Sequence, residues 1–369
     1  MADRLMLLFV AALVVGAMAP QALAAPKVFA ATGLSTESDV MAAAEEATRA
    51  MMARFQAASR KPGAVIFLER VANPGGFAAK AGQIGGRVKE LAGGVPTFGH
   101  GGVDTYGVVL GPDVKDGQST FLVLGIDAPS LDVRGYAVGG QIQYDYVSER
   151  PRPEEPAAAR KWEQGVLREI QRRDAARQRG RDLGEMIPPL RQGGFILLLG
   201  ALHNNWHVTF LDGLREKVDP RVPMLGGVGR WQDYVYNDGQ GLTDTAGRPT
   251  SVGQLAIVVQ GQMKVALVGA RAADTSRLAA VQAMIADVAG ESRQKLGQNP
   301  AAAVAFSCVT LLRNTKVMDS GVFHAALAQA YGADTPIVGA FCGGELGIDS
   351  AGAFSAGGDR FMVLLLGEP

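Results

Sequence analysis

The chain has 369 residues, 47% of them hydrophobic, which is long enough for two domains or one large domain with a sizeable core. Its 36 basic and 36 acidic residues give a formal net charge of zero, which argues against an electrostatic nucleic-acid binder, because such domains are usually basic. The 48 glycines follow no collagen-like period, so they indicate many turns rather than a fibre.

The first 24 residues are predicted to be a signal peptide rather than part of the fold. Arg4 gives a basic start, and the apolar stretch at 5–19 is short for a membrane span. The letters ALA at 22–24 form an A-x-A cleavage signature, so we expect cleavage before Ala25. The mature protein is therefore expected in the periplasm or outside the cell, without a membrane anchor. An uncleaved signal anchor is the alternative.

One pattern occurs three times: an apolar strand, a helical segment, a second strand that starts after X-Pro, and a Gly-rich loop. The apolar strands are predicted at 64–68, 195–199 and 303–307. The Gly-rich stretches are 95–102, 222–229 and 335–347. The intervening segments suit a crossover with a helix, so the repetition indicates duplicated units. We predict an α/β fold with mixed β-sheets flanked by helices, built from three related strand-helix-strand-hairpin units.

The unit boundaries are predicted from composition. The first unit is expected at 25–148 and is followed by 149–191, a stretch rich in Arg, Glu, Gln and Ala. This stretch is predicted to be a charged connecting helix, because acids and bases are interleaved along it. The second unit is expected at 192–271 and the third at 272–369.

Two further kinds of element are predicted around the apolar strands. Long Ala-rich helices are expected around 40–58 and 276–296, before the first and third of these strands. Hairpins are expected between 106–110 and 120–125, and between 255–260 and 264–268.

The candidate binding chemistry lies in the Gly-rich stretches. Ligands usually bind at strand ends in α/β sheets, and glycine lets a ligand approach the main chain closely. Glu345 is a lone acid among the glycines of the third stretch, three residues after Cys342. Its carboxylate could hold an amine, a cation or a proton, whereas a solvent-facing turn is the structural alternative. The first stretch also contains His100.

The two cysteines and a pair of histidines are the other candidates. Cys308 and Cys342 could form a disulfide in an oxidising compartment or remain free thiols, and the sequence leaves both possibilities open. His203 and His207 have a spacing that metal sites use, but no third ligand is identifiable, so no metal site is predicted.

The stretch Phe306-Ser307-Cys308 followed by GAFCGGELG at 339–347 resembles the C-terminal FIST domain, in which a strand ends in Ser-Cys and a Gly-Phe…Gly-Glu-Ile loop lies downstream. The stretches at 95–102 and 222–227 resemble the paired Gly turns of the N-terminal FIST domain. The resemblance spans most of 28–369 and divides this N-terminal-like domain between the first two units. It implies a sensory module for small ligands, amino acids among them.

The leading hypothesis is an exported small-ligand-binding protein that has no output domain of its own and relays its signal through a separate partner. Its ligand would be a small polar molecule such as an amino acid, and no cofactor, metal or nucleic acid is expected. The predicted ligand-binding residues are Glu345, Gly344, Gly343, Cys342, Cys308, His100, Gly101, Gly226 and Gly227. The alternative is a Cys-dependent hydrolase or transferase, with Cys342 as nucleophile and His100 or His324 as base.

Overall fold

The computed structural model of the chain describes residues 27–70, 77–102, 114, 118–140, 156–190, 194–201, 207–229, 234–244, 246–315, 321–348, 354–357 and 360–369. The predicted signal peptide and the strand predicted at 106–110 lie outside these residues. Within them, mixed β-sheets are flanked by helices, which confirms the predicted α/β fold class.

The first sheet is built mainly from the N-terminal part of the chain. Its strands are β1 (Phe29–Ser35), β2 (Ala64–Arg70), β3 (Thr97–Gly102), β4 (Thr120–Asp127) and β8 (Tyr234–Asn237), in the order β1-β4-β2-β3-β8. Helices α1 (Val40–Ala57) and α2 (Phe77–Leu91) cover one face. α1 begins after Asp39, whose carboxylate caps the helix by accepting a hydrogen bond from the backbone N–H of Ala42.

The second sheet is built mainly from the middle of the chain. Its strands are β5 (Asp132–Gly139), β6 (Phe195–Ala201), β7 (Met224–Gly229), β11 (Gly253–Gln260), β15 (Gly344–Ile348) and β16 (Phe354–Gly357), in the order β16-β15-β7-β6-β11-β5. Helices α3 (Pro156–Met186) and α4 (His207–Arg215) cover one face. A separate two-stranded sheet, β9 (Leu242–Thr243) with β10 (Pro249–Thr250), packs beside the end of β5.

The third sheet is formed by the C-terminal part of the chain. Its strands are β12 (Lys264–Arg271), β13 (Ala302–Cys308), β14 (Ile337–Cys342) and β17 (Arg360–Gly367), in the order β12-β17-β13-β14. The helices associated with it are α5 (Leu278–Leu296), α6 (Val309–Asn314) and α7 (Gly321–Tyr331).

The three large sheets share one connectivity. In the first sheet, β1 pairs antiparallel with β4, β4 pairs antiparallel with β2, and β2 pairs parallel with β3. The strands β5, β11, β6 and β7 pair in the same way in the second sheet. The strands β12, β17, β13 and β14 do so in the third. This common order is what duplicated units would produce, although duplication itself stays a prediction. Two of the sheets also gain strands from the unit that follows: β8 comes after β7 in the chain but pairs with β3 of the first sheet, and β15 comes after β14 but pairs with β7 of the second sheet.

The sheets bury their inner faces against one another in a single central core. Leu68, Leu199 and Phe306, one from each sheet, belong to this core, which we call the central core below. The opposite faces pack against the helices in three separate apolar clusters. A strand residue therefore faces either the central core or a helix-covered cluster, and the face alternates along the strand.

The Gly-rich stretches are strands rather than the predicted loops, because residues 97–102, 224–229 and 337–342 pair within the sheets. Glycine is needed in these strands because the neighbouring strand lies too close for a side chain. Gly99, Gly226 and Gly339 lie in register beside Phe67, Leu198 and Ala305 of the neighbouring parallel strand. A Cβ atom would lie 2.2 Å from the Phe67 ring, 1.9 Å from the Leu198 carbonyl oxygen and 1.8 Å from the Ala305 carbonyl oxygen.

Two other expectations were wrong or incomplete. The predicted hairpin between 255–260 and 264–268 is absent, because β11 lies in the second sheet and β12 in the third. The predicted connecting helix is α3, and it is not simply solvated: Ala176, Leu183 and Ile187 are buried in the cluster that covers the second sheet. The sheets thus group β5 with the second unit and β12 with the third, across the boundaries predicted from composition.

Replacing Gly339 by Ala should destabilise the protein, because the new methyl group would lie 1.8 Å from the Ala305 carbonyl oxygen. We expect the free energy of unfolding to fall by about 1–3 kcal/mol, as for other overpacked sites. Urea denaturation followed by circular dichroism measures the change.

Gly290→Ala is the matched control for this substitution. Gly290 lies inside α5, and a Cβ there meets nothing within 4 Å, so alanine should stabilise the helix by up to about 1 kcal/mol. Equal stability of the Gly339→Ala variant and the wild type would contradict the close approach of β13 and β14.

Candidate functional site

Glu345 lies within the sheet rather than in a turn. It pairs in register with Gly227 of β7 and with Gly357 of β16. Its neighbour Leu346 packs in the helix-covered cluster of the second sheet, so the alternation of side chains directs Glu345 to the opposite face, towards the central core. The residue is 0% exposed, which rules out the solvent-facing alternative.

Cys342 is brought beside Glu345 by a short connection between two sheets. β14 ends at Cys342 and β15 begins at Gly344, so Gly343 alone links the third sheet to the second. The Cys342 Sγ atom lies 4.0 Å from Glu345 Oε1 and 3.5 Å from the carbonyl oxygen of Ser307. The thiol is buried in the central core, so the carboxyl and the thiol share a desolvated environment.

Gly227 completes this cluster from the second sheet. A Cβ atom on Gly227 would lie 2.7 Å from Cys342 Sγ and 2.7 Å from Cδ1 of Phe306. The missing side chain therefore lets β7 approach β13 and β14. Its neighbour Gly226 lies instead against the Leu198 carbonyl oxygen of β6.

The two cysteines are free thiols in the structure, and both are buried. They are in register on adjacent parallel strands, but Cys308 packs in the helix-covered cluster of the third sheet, whereas Cys342 packs in the central core. The Thr310 hydroxyl donates a hydrogen bond of 2.8 Å to Cys308 Sγ. Of the two alternatives left open by the sequence, the structure contains the free thiols.

Residues 97–102 of the first Gly-rich stretch form β3, and neighbouring residues face opposite sides of the first sheet. His100 pairs in register with Leu68 of β2 and Val235 of β8. A Cβ atom on Gly101 would lie 2.6 Å from Glu69 Oε2 and 2.7 Å from the Tyr234 hydroxyl. The second and third stretches therefore meet at Glu345, whereas Gly101 lies beside another acid.

That acid, Glu69, was missed by the sequence analysis, which ended the first apolar strand at Leu68. Glu69 is 7% exposed, and the Tyr234 hydroxyl donates a hydrogen bond to its Oε2. Burial raises the pKa of Glu69 to about 7, while the hydrogen bond from Tyr234 acts in the opposite direction. The sequence did contain an indication, because Glu69 directly follows the uninterrupted apolar run at 64–68. A charged residue that continues a buried strand is uncommon.

His324 is poorly placed to be the base of a cysteine enzyme. It lies in α7, next to Phe323, which packs in the helix-covered cluster of the third sheet. Cys342 faces the central core on the other side of that sheet. The sheet therefore separates this imidazole from the thiol.

A cleft of about 460 Å³ lies away from Glu345, between the first and second sheets. Charged and polar residues line it, among them Arg134, Asn237, Asp238 and Gln240, together with the aromatic ring of Tyr136. Its volume is in the range of small-molecule sites. It is thus a second location where a small polar ligand could bind.

Neither a cluster of metal-ligating residues nor a helix suited to crossing a membrane is present in the part of the chain that the structure describes. No group of three or more His, Cys, Asp or Glu residues there is arranged to hold a metal ion. No helix there combines the length and the apolar character that crossing a membrane requires. His203 and the side chain of His207 lie outside the described part.

Comparisons with known proteins give little guidance. No protein-family model and no curated protein sequence matches the chain. Among solved structures, cyanuric acid hydrolase from A. caulinodans is similar at 12% identity with a TM-score of 0.37, over 91% of this chain and 99% of that one. T. maritima PurL complexed with FGAR is similar at 11% identity with a TM-score of 0.28, over 94% of this chain and 75% of that one. At these TM-scores the likenesses carry no argument about fold or function.

Thiol labelling tests the cysteine geometry. We expect intact-mass analysis after denaturation and alkylation to find two modified cysteines per chain without reductant, because both thiols are free. In the native protein both should react slowly, because Cys308 is 2% exposed and Cys342 is 6% exposed. Modification that appears only after reduction would mean that the two cysteines are paired and would contradict the structure.

Proposed function

We propose that the chain is an exported protein that binds a small polar ligand, such as an amino acid, through the carboxylate of Glu345. The observation that carries the proposal is the complete burial of this carboxyl group where the second and third sheets meet. A separate signalling partner would read out the bound state.

The burial of Glu345 makes its carboxylate sensitive to any charge placed beside it. Transferring an ionised carboxylate from water to an apolar interior is unfavourable and is offset by hydrogen bonds or an opposite charge, and the Cys342 thiol lies 4.0 Å from Oε1. Apolar groups lie close by, since Phe306 and the Cys342 side chain approach Gly227, the register partner of Glu345. A desolvated acid in such a place is characteristic of functional sites. The ammonium group of a ligand would supply the opposite charge.

The binding mode differs from the one expected from the sequence. Glycine was expected to let the ligand approach the main chain, but β3 and β7 are hydrogen-bonded to a strand on each side. Recognition therefore depends on the side chain of Glu345, with the thiol of Cys342 beside it. The resemblance to FIST domains is consistent with this function and stays a prediction, as does export.

Ligand binding is tested by thermal shift and isothermal titration of the mature chain with the common amino acids at millimolar concentration. Two probes dissect recognition: simple amines without a carboxylate, and carboxylates without an amine. Amino acids and amines should stabilise the protein, because a ligand at a hundred times its Kd contributes about 2.7 kcal/mol. Carboxylates without an amine should not bind.

Substitutions locate the site. Glu345→Gln should weaken binding at least tenfold, whereas Glu291→Gln, an exposed acid that pairs with Lys295, should bind normally. Arg134→Ala should also bind normally, because Arg134 lines only the separate 460 Å³ cleft. Loss of binding in Arg134→Ala but not in Glu345→Gln would place the ligand in that cleft and contradict the proposal.

Cys342→Ser separates binding from the alternative of a cysteine hydrolase or transferase. A binding protein should retain its affinity within a few-fold, because serine differs from cysteine by one atom and its hydroxyl can still donate a hydrogen bond towards Glu345. Any ester or amide hydrolysis by the wild type that this variant abolishes would favour the enzyme.

A further inference from the structure

Glu69 and Tyr234 face each other across a glycine in the first sheet. Glu69 in β2 pairs in register with Gly101 in β3, and Gly101 pairs in register with Tyr234 in β8. Because Gly101 has no side chain, the acid and the phenol meet over it on the helix-covered face. In the chain, β8 lies between β7 and β11 of the second sheet. The contact between Glu69 and Tyr234 therefore joins the first sheet to a segment that connects two strands of the second sheet.

The two carboxyl oxygens of Glu69 differ in their hydrogen bonds to the described residues. Oε2 accepts the hydrogen bond from the Tyr234 hydroxyl. Oε1 is buried and accepts no hydrogen bond from any residue that the structure describes. Phe67, Phe121 and Ile84 of the same cluster give the pair an apolar environment.

A small cavity adjoins this carboxyl group. It measures about 10 Å³ and is lined by Glu69 together with α1, the end of β2 and the start of β4. Ser38, Ser119 and Thr120 belong to its lining. This volume is close to the minimum that holds one water molecule, and Glu69 Oε1 would be one of the two to four polar partners that such a water needs.

Among the residues that the structure describes, two other charged residues line the cavity beside Glu69. Glu37 and Arg70 line the same cavity, and the Arg70 guanidinium donates a hydrogen bond of 3.0 Å to the carbonyl oxygen of Gln118. The facing residues of α1 are Val40 and Ala43, which are apolar. The phenol of Tyr234 is therefore the titratable group in hydrogen-bond contact with Glu69.

We propose that Glu69 and Tyr234 form a proton-binding site, in which a water molecule in the adjoining cavity connects Glu69 Oε1 to the solvent. Proton uptake converts the carboxylate to a carboxyl group whose new O–H, on Oε1, donates to that water. Oε2 accepts from the phenol in both states. Tyr234 keeps its proton throughout, because burial raises the pKa of its hydroxyl well above the ordinary value.

The direction of the pH dependence follows from the raised pKa of Glu69. Its pKa is about 7 in the folded chain and near the ordinary value of 4.5 when unfolded, so between these values the folded state binds more protons. Stability from this group is complete below about pH 4.5 and is lost as the pH rises towards 7 and above. The folding equilibrium constant should fall on the order of a hundredfold across this window.

Carbon-13 NMR of the side-chain carboxyl groups, with labelled glutamate, tests the proposal in the mature chain. One signal should titrate near pH 7 and disappear in Glu69→Gln. Glu37→Gln removes an exposed acid beside the same cavity and should leave that signal in place. If every glutamate of the wild type titrates below about pH 5, the ordinary range for exposed acids, the proposal is overturned whether or not the variants fold.

Tyr234→Phe tests the pairing itself. The phenol hydrogen bond favours the ionised acid, so its removal should raise the titration midpoint of Glu69. An unchanged midpoint would mean that the phenol does not bond to Glu69. A crystal structure should contain one water within hydrogen-bond distance of Oε1, and an empty cavity would contradict the route to solvent.

Discussion

The structure depends on the packing of three β-sheets against one shared core. Each sheet buries its inner face in the central core and packs helices against its outer face, and the strands β2, β11, β13 and β17 are buried along almost their whole length. A polar side chain in the buried part of these sheets is desolvated on either face. Glu345 and Glu69 stand out for this reason, because carboxylates are seldom fully buried and buried acids are often found at functional sites.

Glycine makes this packing possible, and it also places the acids. Gly99, Gly226 and Gly339 let parallel strands approach within distances that no side chain would allow. Gly227 lets the second sheet meet Cys342, and Gly101 lets Tyr234 reach Glu69 over the backbone of β3. The same residue type thus sets both the contact between sheets and the surroundings of each buried acid.

The strands and helices with strong patterns were predictable from the sequence. The apolar runs at 64–68, 195–199 and 303–307 are the strands β2, β6 and β13, and the Ala-rich helices at 40–58 and 276–296 are α1 and α5. The Gly-rich stretches were assigned wrongly as loops, because glycine favours turns locally and only the neighbouring strand reveals why it is needed in a sheet. The false hairpin at 255–268 has a similar cause: the sequence does not specify which sheet a strand joins.

The candidate site was predictable only in part. The proximity of Cys342 and Glu345 follows from their separation of three residues, but their burial depends on a change of sheet at Gly343 that no local pattern indicates. The contact of Glu69 with Tyr234 joins residues 165 positions apart, so it could not be read from spacing. Of the three Gly-rich stretches, the second and third adjoin Glu345, and Gly101 of the first lies beside the second acid.

The most direct measurement is a crystal structure of the mature protein with the amino acid or amine that stabilises it most. The account predicts electron density for the ligand at the junction of the second and third sheets, with its ammonium group hydrogen-bonded to the Glu345 carboxylate. Density in the cleft beside Arg134, with Glu345 still enclosed by protein atoms alone, would contradict it.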